Sequence, residues 1–192
     1  SLYSNFGGVY FSDFSISEIE ELEKQDVHYD SRQVLKNYIS EWRMSEMFRK
    51  DSVGFLNQVD SLLAHVDSFI KIKADKDGLV NISRFYDNMD QTVVLTSEIT
   101  SDSDKEVTLN FDYADHLVLL MNSEILFDGG MNFRPPSEKG TEGRVFVDDE
   151  ETVLRLRKGV NSLVFVLSGD NRQKYNWGAI AKLESLDGLT LE

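Results

Sequence analysis

"ETVLRLRKGVNSLVFVLSG", Glu151–Gly169, is the stretch whose reading decides the fold. Leu154 and Leu156 alternate with Arg155 and Arg157. After Lys158-Gly159-Val160 the alternation resumes with Leu163, Phe165 and Leu167. A period of two puts each set on one face of an extended strand. Gly159 supplies the backbone freedom of a turn, so the stretch reads as a β-hairpin with its apolar face toward a core.

The same signature recurs on both sides. From Gly78 onward the chain reads as "LVNISRFY", "TVVLTSEIT", "KEVTLNFDY", "HLVLLMN", "EILFD", "RVFVDD", "TVLRLRKG", "NSLVFVLSG" and "WGAIAKLE", separated by short Asp-, Asn-, Ser- and Gly-rich turns. Many short alternating segments with few helical stretches predict an all-β fold, an antiparallel β-sandwich from about Tyr38 to Gly188. Leu117, Leu119, Leu154, Leu156, Leu163, Phe165, Leu167 and Ile180 are the expected core.

Upstream, "SVGFLNQVDSLLAHVDSF" spaces Phe55, Val59, Leu62, Leu63 and Val66 as a helical stripe. A helix near Val53–Ala64, outside the sheets, is predicted. "FIKIKAD" alternates cleanly and ends in the turn signal "DKDG". "VLKNYISEWRMSEMF" fits both periods and is read as a strand from about Ile39 to Phe48. Residues 1–37 form a separate N-terminal extension in this reading, with a strand at Val9–Phe14 and an acidic linker with a little helix. The strand reads as the tail of an upstream domain or as a stray packed on the sandwich. The sandwich itself takes residues 38–192.

Composition narrows the partners. With 34 acidic and 20 basic residues the net charge is −14, so repulsion disfavours nucleic acid and anionic membrane surfaces. A neutral carbohydrate meets no such barrier. The chain has no cysteine, which removes disulfides and thiol catalysis. No apolar run reaches the roughly 18 residues of a membrane-spanning helix, so no membrane insertion is expected.

"VTLNFDYADHLVLLMNSEILFDG", "ETVLRLRKGVNSLVFVLSG" and "NWGAIAKLESLDG" together resemble the galactose-binding-like jelly roll attached to many bacterial carbohydrate-active proteins. The shared features are the strand Leu117–Met121 with its two-residue turn and "EILFDG", the Lys-Gly-x-Asn hairpin, and a closing "WGAIAKLE" strand. At the two-residue turn Asn122-Ser123 stands where the family often has Asn-Gly. "FGGVYFSDFSIS" is similar to the terminal strand of a laminin-G or concanavalin-like domain. The resemblance implies a non-catalytic accessory module that binds glycan, in an extracellular or periplasmic setting. Two alternatives stay open: a structural domain bracing a neighbouring catalytic domain of the parent protein, and a fragment of a glycoside hydrolase whose catalytic residues lie upstream. The resemblance also implies that a structural calcium is possible and that no other cofactor is needed.

Two loops carry the sugar-contacting residue types. "DGGMNFRPPSEKGTEG" follows a core strand and holds Asp128, Asn132, Phe133 and Arg134. "DNRQKYNWGAI" holds Tyr175 and Trp177. Amides and guanidinium groups donate to hydroxyls, Asp128 accepts from them, and the rings offer flat apolar faces. These six are the candidate ligand-binding residues, expected to meet at one end of the sandwich. The plainer reading makes the first loop a connector and buries Trp177 in the core. The acidic runs at residues 102–106 and 147–151 lack the spacing of a calcium loop and read as solvated turns. His28, His65 and His116 are isolated from one another, and neither Gly-x-Ser-x-Gly nor a phosphate-binding glycine loop occurs. No catalytic residue is assigned.

Overall fold

The structure, a computed structural model, describes residues 36–49, 55–86, 91–131, 145, 147, 149–169 and 177–191. The strands are β1 Glu41–Met44, β2 Ile70–Lys73, β3 Val80–Asn81, β4 Thr92–Ser101, β5 Lys105–Tyr113 and β6 Asp115–Met121. They continue with β7 Glu124–Met131, β8 Glu150–Leu156, β9 Gly159–Ser168, β10 Gly178–Leu183 and β11 Leu189–Leu191. One helix, α1, spans Phe55–Leu63. A seven-stranded sheet runs β2-β1-β4-β9-β6-β7, with β11 also on β4, and a four-stranded sheet runs β3-β10-β5-β8. The pairings among these strands are antiparallel. The chain is an all-β sandwich.

The core lies between the sheets. Leu117, Leu119, Leu154, Leu156, Leu163, Phe165 and Leu167 all join it, as the alternation requires. Ile180 does not. It is buried, but Ala179, Ala181 and Leu183 are the residues of β10 that face the core. With a period of two, Ile180 falls on the other face.

Central strands bury both faces. β4 turns Val93, Leu95 and Ile99 inward, while Val94 joins a second cluster outside the seven-stranded sheet. That cluster gathers Val94, Val118, Leu120, Val164 and Val166 under Val59 of α1 and Phe69, with Leu62, Leu63 and Val66 at its margin. A nine-residue helix is marginal in isolation. This apolar stripe fixes α1 on the outer face of the sheet, near its predicted bounds.

The deciding stretch is not a hairpin. β8 pairs with β5 in the four-stranded sheet, and β9 pairs with β4 and β6 in the other. Arg157 and Lys158 therefore carry the chain from one sheet to the other as an arch. Two strands with the same alternation face one core whether they lie side by side or opposite, so the pattern does not distinguish the two. Asn161 closes the arch. Its Nδ2 donates to the carbonyls of Arg157 (2.8 Å), Gly159 (3.0 Å) and Ile99 (3.2 Å). Its Oδ1 accepts from the Arg157 amide at 2.9 Å and from Asn122 Nδ2 at 2.9 Å. The Lys158 amide donates to Asp104 at 2.7 Å, and Asp102 pairs with Lys105 at 2.8 Å. Those two acids of the 102–106 run thus hold turns.

Other expectations change in detail. "LVNISRFY" gives only the two-residue β3, followed by a 3-10 turn at Ile82–Arg84. The Ile39–Phe48 strand is shorter, Glu41–Met44, because the chain changes sheet there. Tyr38 bridges Lys182 in one sheet and Phe48 bridges Thr92 in the other. β11 arises from "LTL", too short to show a period. The Val9–Phe14 strand, the acidic linker and half of "RVFVDD" lie outside the described residues, and the described half, Val145, Val147 and Asp149, is not in a strand.

Asn122-Ser123 does form the two-residue turn between β6 and β7. Both residues adopt positive φ, 50° and 69°, as a type I′ turn requires. Asn tolerates this conformation, whereas Ser carries a penalty that glycine would relieve. Ser123→Gly is expected to stabilise the fold by about 0.5–1 kcal/mol, after allowing for glycine's greater unfolded-state entropy. A urea denaturation midpoint at or below that of the parent chain would contradict this reading of the turn.

Candidate functional site

The ladder registers set out the outer face of the seven-stranded sheet in rungs. Thr92, Ser168, His116 and Gly130 form one rung. Val94, Val166, Val118 and Asp128 form the next. Lys71, Arg43, Thr96, Val164, Leu120 and Ile125 follow, then Glu98 and Ser162. α1 covers the valine-rich middle, so a polar patch remains at each end.

The first patch contains Asp128, on the edge strand β7. His116 Nε2 and Asp128 Oδ1 lie 3.0 Å apart, with 35% and 60% of their side chains exposed. The histidine thus orients a carboxylate that faces solvent. Beside them Gly130 is exposed and puts no side chain over the rung. Thr92 Oγ1 and Ser168 Oγ share a hydrogen bond of 2.9 Å. Although Ser168 and His116 are register partners, this serine hydroxyl is bonded to Thr92, and His116 Nε2 faces Asp128. Ser168, His116 and Asp128 are therefore not arranged as a nucleophilic relay, which needs the serine hydroxyl on the imidazole.

The inner side of the same strand is tightly packed. Gly129 stands over the Phe127 ring and the Tyr113 hydroxyl, and a methyl group there would collide with both. Phe127 packs edge-on against Phe111 at 5.1 Å and Tyr113 at 5.6 Å. The register shift between Leu119 and Leu120 leaves Leu126 as the extra residue of a bulge and sets Phe127 opposite Leu119.

Tyr113 reports on this end of the sandwich. Its hydroxyl is pushed up to about 12, first by burial and then by the charges of Glu150, Asp112 and Asp128. The fold thus favours the neutral phenol. That contribution is complete below the ordinary tyrosine value near 10 and is lost as pH rises toward 12. Tyr113→Phe is expected to flatten the fall in stability across this alkaline window. Identical slopes of stability against pH in the two proteins would refute it.

The six candidate residues divide clearly. Asp128 is exposed on β7. Trp177 is fully buried in the core at the start of β10, so it offers no ring to a surface groove. Its Nε1 finds no hydrogen-bond partner among the described residues. Asn132, Phe133, Arg134 and Tyr175 lie outside the described residues. His116, Thr92 and Ser168 are polar neighbours that the sequence reading missed. They come from three strands far apart in the chain, and only the register joins them. Among the described residues no three His, Cys, Asp or Glu side chains gather as a metal site.

A second opening lies at the far end of the same face. It is a cleft of about 520 Å³ whose lining includes Arg43, Lys71, Glu98, Ser162, Leu63 and Leu191. Its size suits a small ligand.

No family model matches the sequence, and no curated protein matches it. Among solved structures, the chain is similar to a β-glucosidase from Kluyveromyces marxianus in complex with glucose, at 15% identity and a TM-score of 0.43. The likeness covers 74% of this chain and 16% of that one. A family 35 carbohydrate binding module from an environmental isolate is similar at 12% identity and a TM-score of 0.34, over 55% of this chain and 73% of that one. The GH31 α-xylosidase from Xanthomonas citri is similar at 9% identity and 0.34, over 59% and 14%. The chain therefore spans about one sixth of the β-glucosidase, 16% of its length. At these TM-scores the likenesses carry no argument, and the fold stands on the strand order and registers above. The neighbours do include glycoside hydrolases and a carbohydrate-binding module, each at low identity.

Proposed function

We propose that this chain is a non-catalytic β-sandwich module that binds a neutral carbohydrate and serves a larger carbohydrate-active protein outside the cell or in the periplasm. The observation that carries the reading is Asp128. An exposed carboxylate, oriented by His116 and flanked by Gly130, accepts hydrogen bonds from adjacent hydroxyls of a sugar that approaches the open rung. Thr92 and Ser168 extend the polar strip. Asn132, Phe133 and Arg134 follow β7 directly in sequence and, with Tyr175, supply donors and ring faces in this reading. A shallow site of this kind binds weakly, at about millimolar to micromolar Kd, because association costs offset much of the contact energy.

Calorimetric titration with neutral oligosaccharides tests it. Asp128→Ala is expected to weaken binding roughly tenfold, about the worth of one charge-assisted hydrogen bond. Arg134→Ala and Tyr175→Ala form the second arm. The carbohydrate reading fails if a panel of neutral oligosaccharides gives no heat with the parent chain. The site assignment fails if binding occurs and Asp128→Ala leaves it intact.

A further inference from the structure

The strand orders end at β2 and β7 in the larger sheet and at β3 and β8 in the smaller. An open strand edge offers its amides and carbonyls to any other strand, so folded chains blunt it with short length, lysines or a bulge. β3 has two residues. β2 has four, among them Lys71 and Lys73. β7 is interrupted by its bulge at Leu126. β8 has none of these devices. It runs seven residues, Glu150–Leu156, with no Lys, Gly or Pro, and keeps an unbroken register with β5. Among the described residues no strand pairs with its other edge.

Parity fixes which residues of β8 face that edge. The Glu184 amide donates to Thr108 O at 2.9 Å, and just past β5 the Ala114 amide donates to Gly178 O at 3.0 Å. Even-numbered residues of β5 thus direct their peptide groups to β10, and odd-numbered ones direct theirs to β8. The odd-numbered Val107, Leu109 and Phe111 have Leu154, Thr152 and Glu150 as partners. Glu151, Val153 and Arg155 therefore direct their peptide groups away from β5, to the other edge. All three side chains are exposed, Val153 by 48% although it is apolar. The run stops at Arg155, because the amide and the carbonyl of Arg157 are both bonded to Asn161. Val153 is its midpoint.

We propose that β8 pairs antiparallel with β8 of a second copy of this chain, about a two-fold axis at Val153. Val153 then faces the partner's Val153, Glu151 faces the partner's Arg155, and Arg155 faces the partner's Glu151. Each of these pairs exchanges both of its backbone hydrogen bonds. Their side chains share one face of the joined sheet, where opposite charges meet on either side of an apolar pair. Arg155 already lies 3.2 Å from Glu106 in its own sheet, so each guanidinium stands between two carboxylates. Charges guard an edge when a second copy sets the same sign against them. In β8 the signs are placed so that a second copy sets the opposite sign against each. That self-complementarity selects this chain over an unrelated strand. The contact is the same patch on both copies, so it closes at a dimer. The proposal is independent of the carbohydrate reading at Asp128.

Sedimentation equilibrium of the full chain over a concentration series tests it. A reversible monomer–dimer equilibrium with a Kd of roughly 10 μM to 1 mM is expected, since one strand edge is small beside a standard interface. Val153→Lys, at an exposed position, sets two ammonium groups together on the axis and should weaken the dimer by roughly tenfold or more. Glu151→Arg and Arg155→Glu should each weaken it in the same way. Mixed together, these two charge variants set opposite signs across both charged pairs. Their heterodimer should form about as tightly as the parent dimer, a rescue that a change in folding alone does not give. Hydrogen exchange reads the edge itself. The amides of Glu151, Val153 and Arg155 should exchange fast in dilute solution and slowly as the chain is concentrated. A chain that stays monomeric at about 1 mM overturns the proposal. So does parent-like association of Val153→Lys, a mixture of the charge variants that associates no better than either alone, or assembly beyond a dimer. Protection of the three amides at every concentration also overturns it, since the edge is then covered within one chain.

Discussion

Asn161→Ala is expected to remove about 2–4 kcal/mol of folding stability, far more than a polar-to-apolar change normally costs. Asn161 is fully buried. Its amide uses both hydrogens on three carbonyls and both lone pairs on two donors, so the side chain is saturated. Alanine removes the acceptor of Asn122 Nδ2 and of the Arg157 amide, and the donor to the Arg157 and Gly159 carbonyls, at about 1–3 kcal/mol for each group that water does not reach. The arch also loses the bond that ties Arg157 to the first turn of β9. Urea denaturation of the two proteins, read at equal slope, checks the figure. A loss under about 0.5 kcal/mol, the scale of an ordinary surface change, would mean that the arch is held by something else.

Asn161→Asp separates hydrogen bonding from shape. The carboxylate is isosteric but turns an oxygen toward three carbonyls. Burial among acceptors disfavours the charged form, so the folded-state value of this Asp rises above the unfolded one. Its penalty is then smallest below about pH 4 and grows as pH rises through that value. A deficit that stays constant from pH 3 to about pH 7, around the ordinary Asp value, would rule out this account of the site.

The sequence shows the strands because each one buries a face, and burial writes a period of two into the residues. Leu154, Leu156, Leu163, Phe165 and Leu167 could be placed in the core from that alone. Sheet membership leaves no such mark. The Lys158-Gly159 turn serves a hairpin or an arch, and the bonds of Asn161 to Ile99, Arg157 and Asn122 are what select the arch. Ile180 shows a further limit, since a strand with one apolar face and a buried outer face offers two registers to the same pattern. The candidate site was less legible. Asp128 was named from its loop, but His116, Thr92 and Ser168 reach it only through pairing. Trp177 was named for its ring, and the ring is in the core. The cleft was invisible in the sequence because β1 and β11, at opposite ends of the described chain, form it by sharing β4.

The second large effect lies in the core between the sheets. Phe165, fully buried on β9, touches Trp42 of its own sheet at 5.1 Å and Phe111 of the facing sheet at 6.2 Å. Phe111 continues to Phe127 at 5.1 Å, and Phe127 to Tyr113 at 5.6 Å. These rings form one chain that crosses the sandwich three times, in tilted and edge-on geometries that add about 0.5–1.5 kcal/mol per pair beyond burial. Phe165→Ala removes the ring that joins Trp42 to the rest. It is expected to cost about 3–5 kcal/mol, the range for a buried phenylalanine whose cavity the neighbours do not close. Phe165→Leu should cost less, since it restores most of the volume and loses only the ring contacts. If the alanine and leucine variants melt together, the ring chain contributes by volume alone. A melt of Phe165→Ala that matches the parent chain would place Phe165 on the wrong face of β9 and overturn the register from which both polar patches were read.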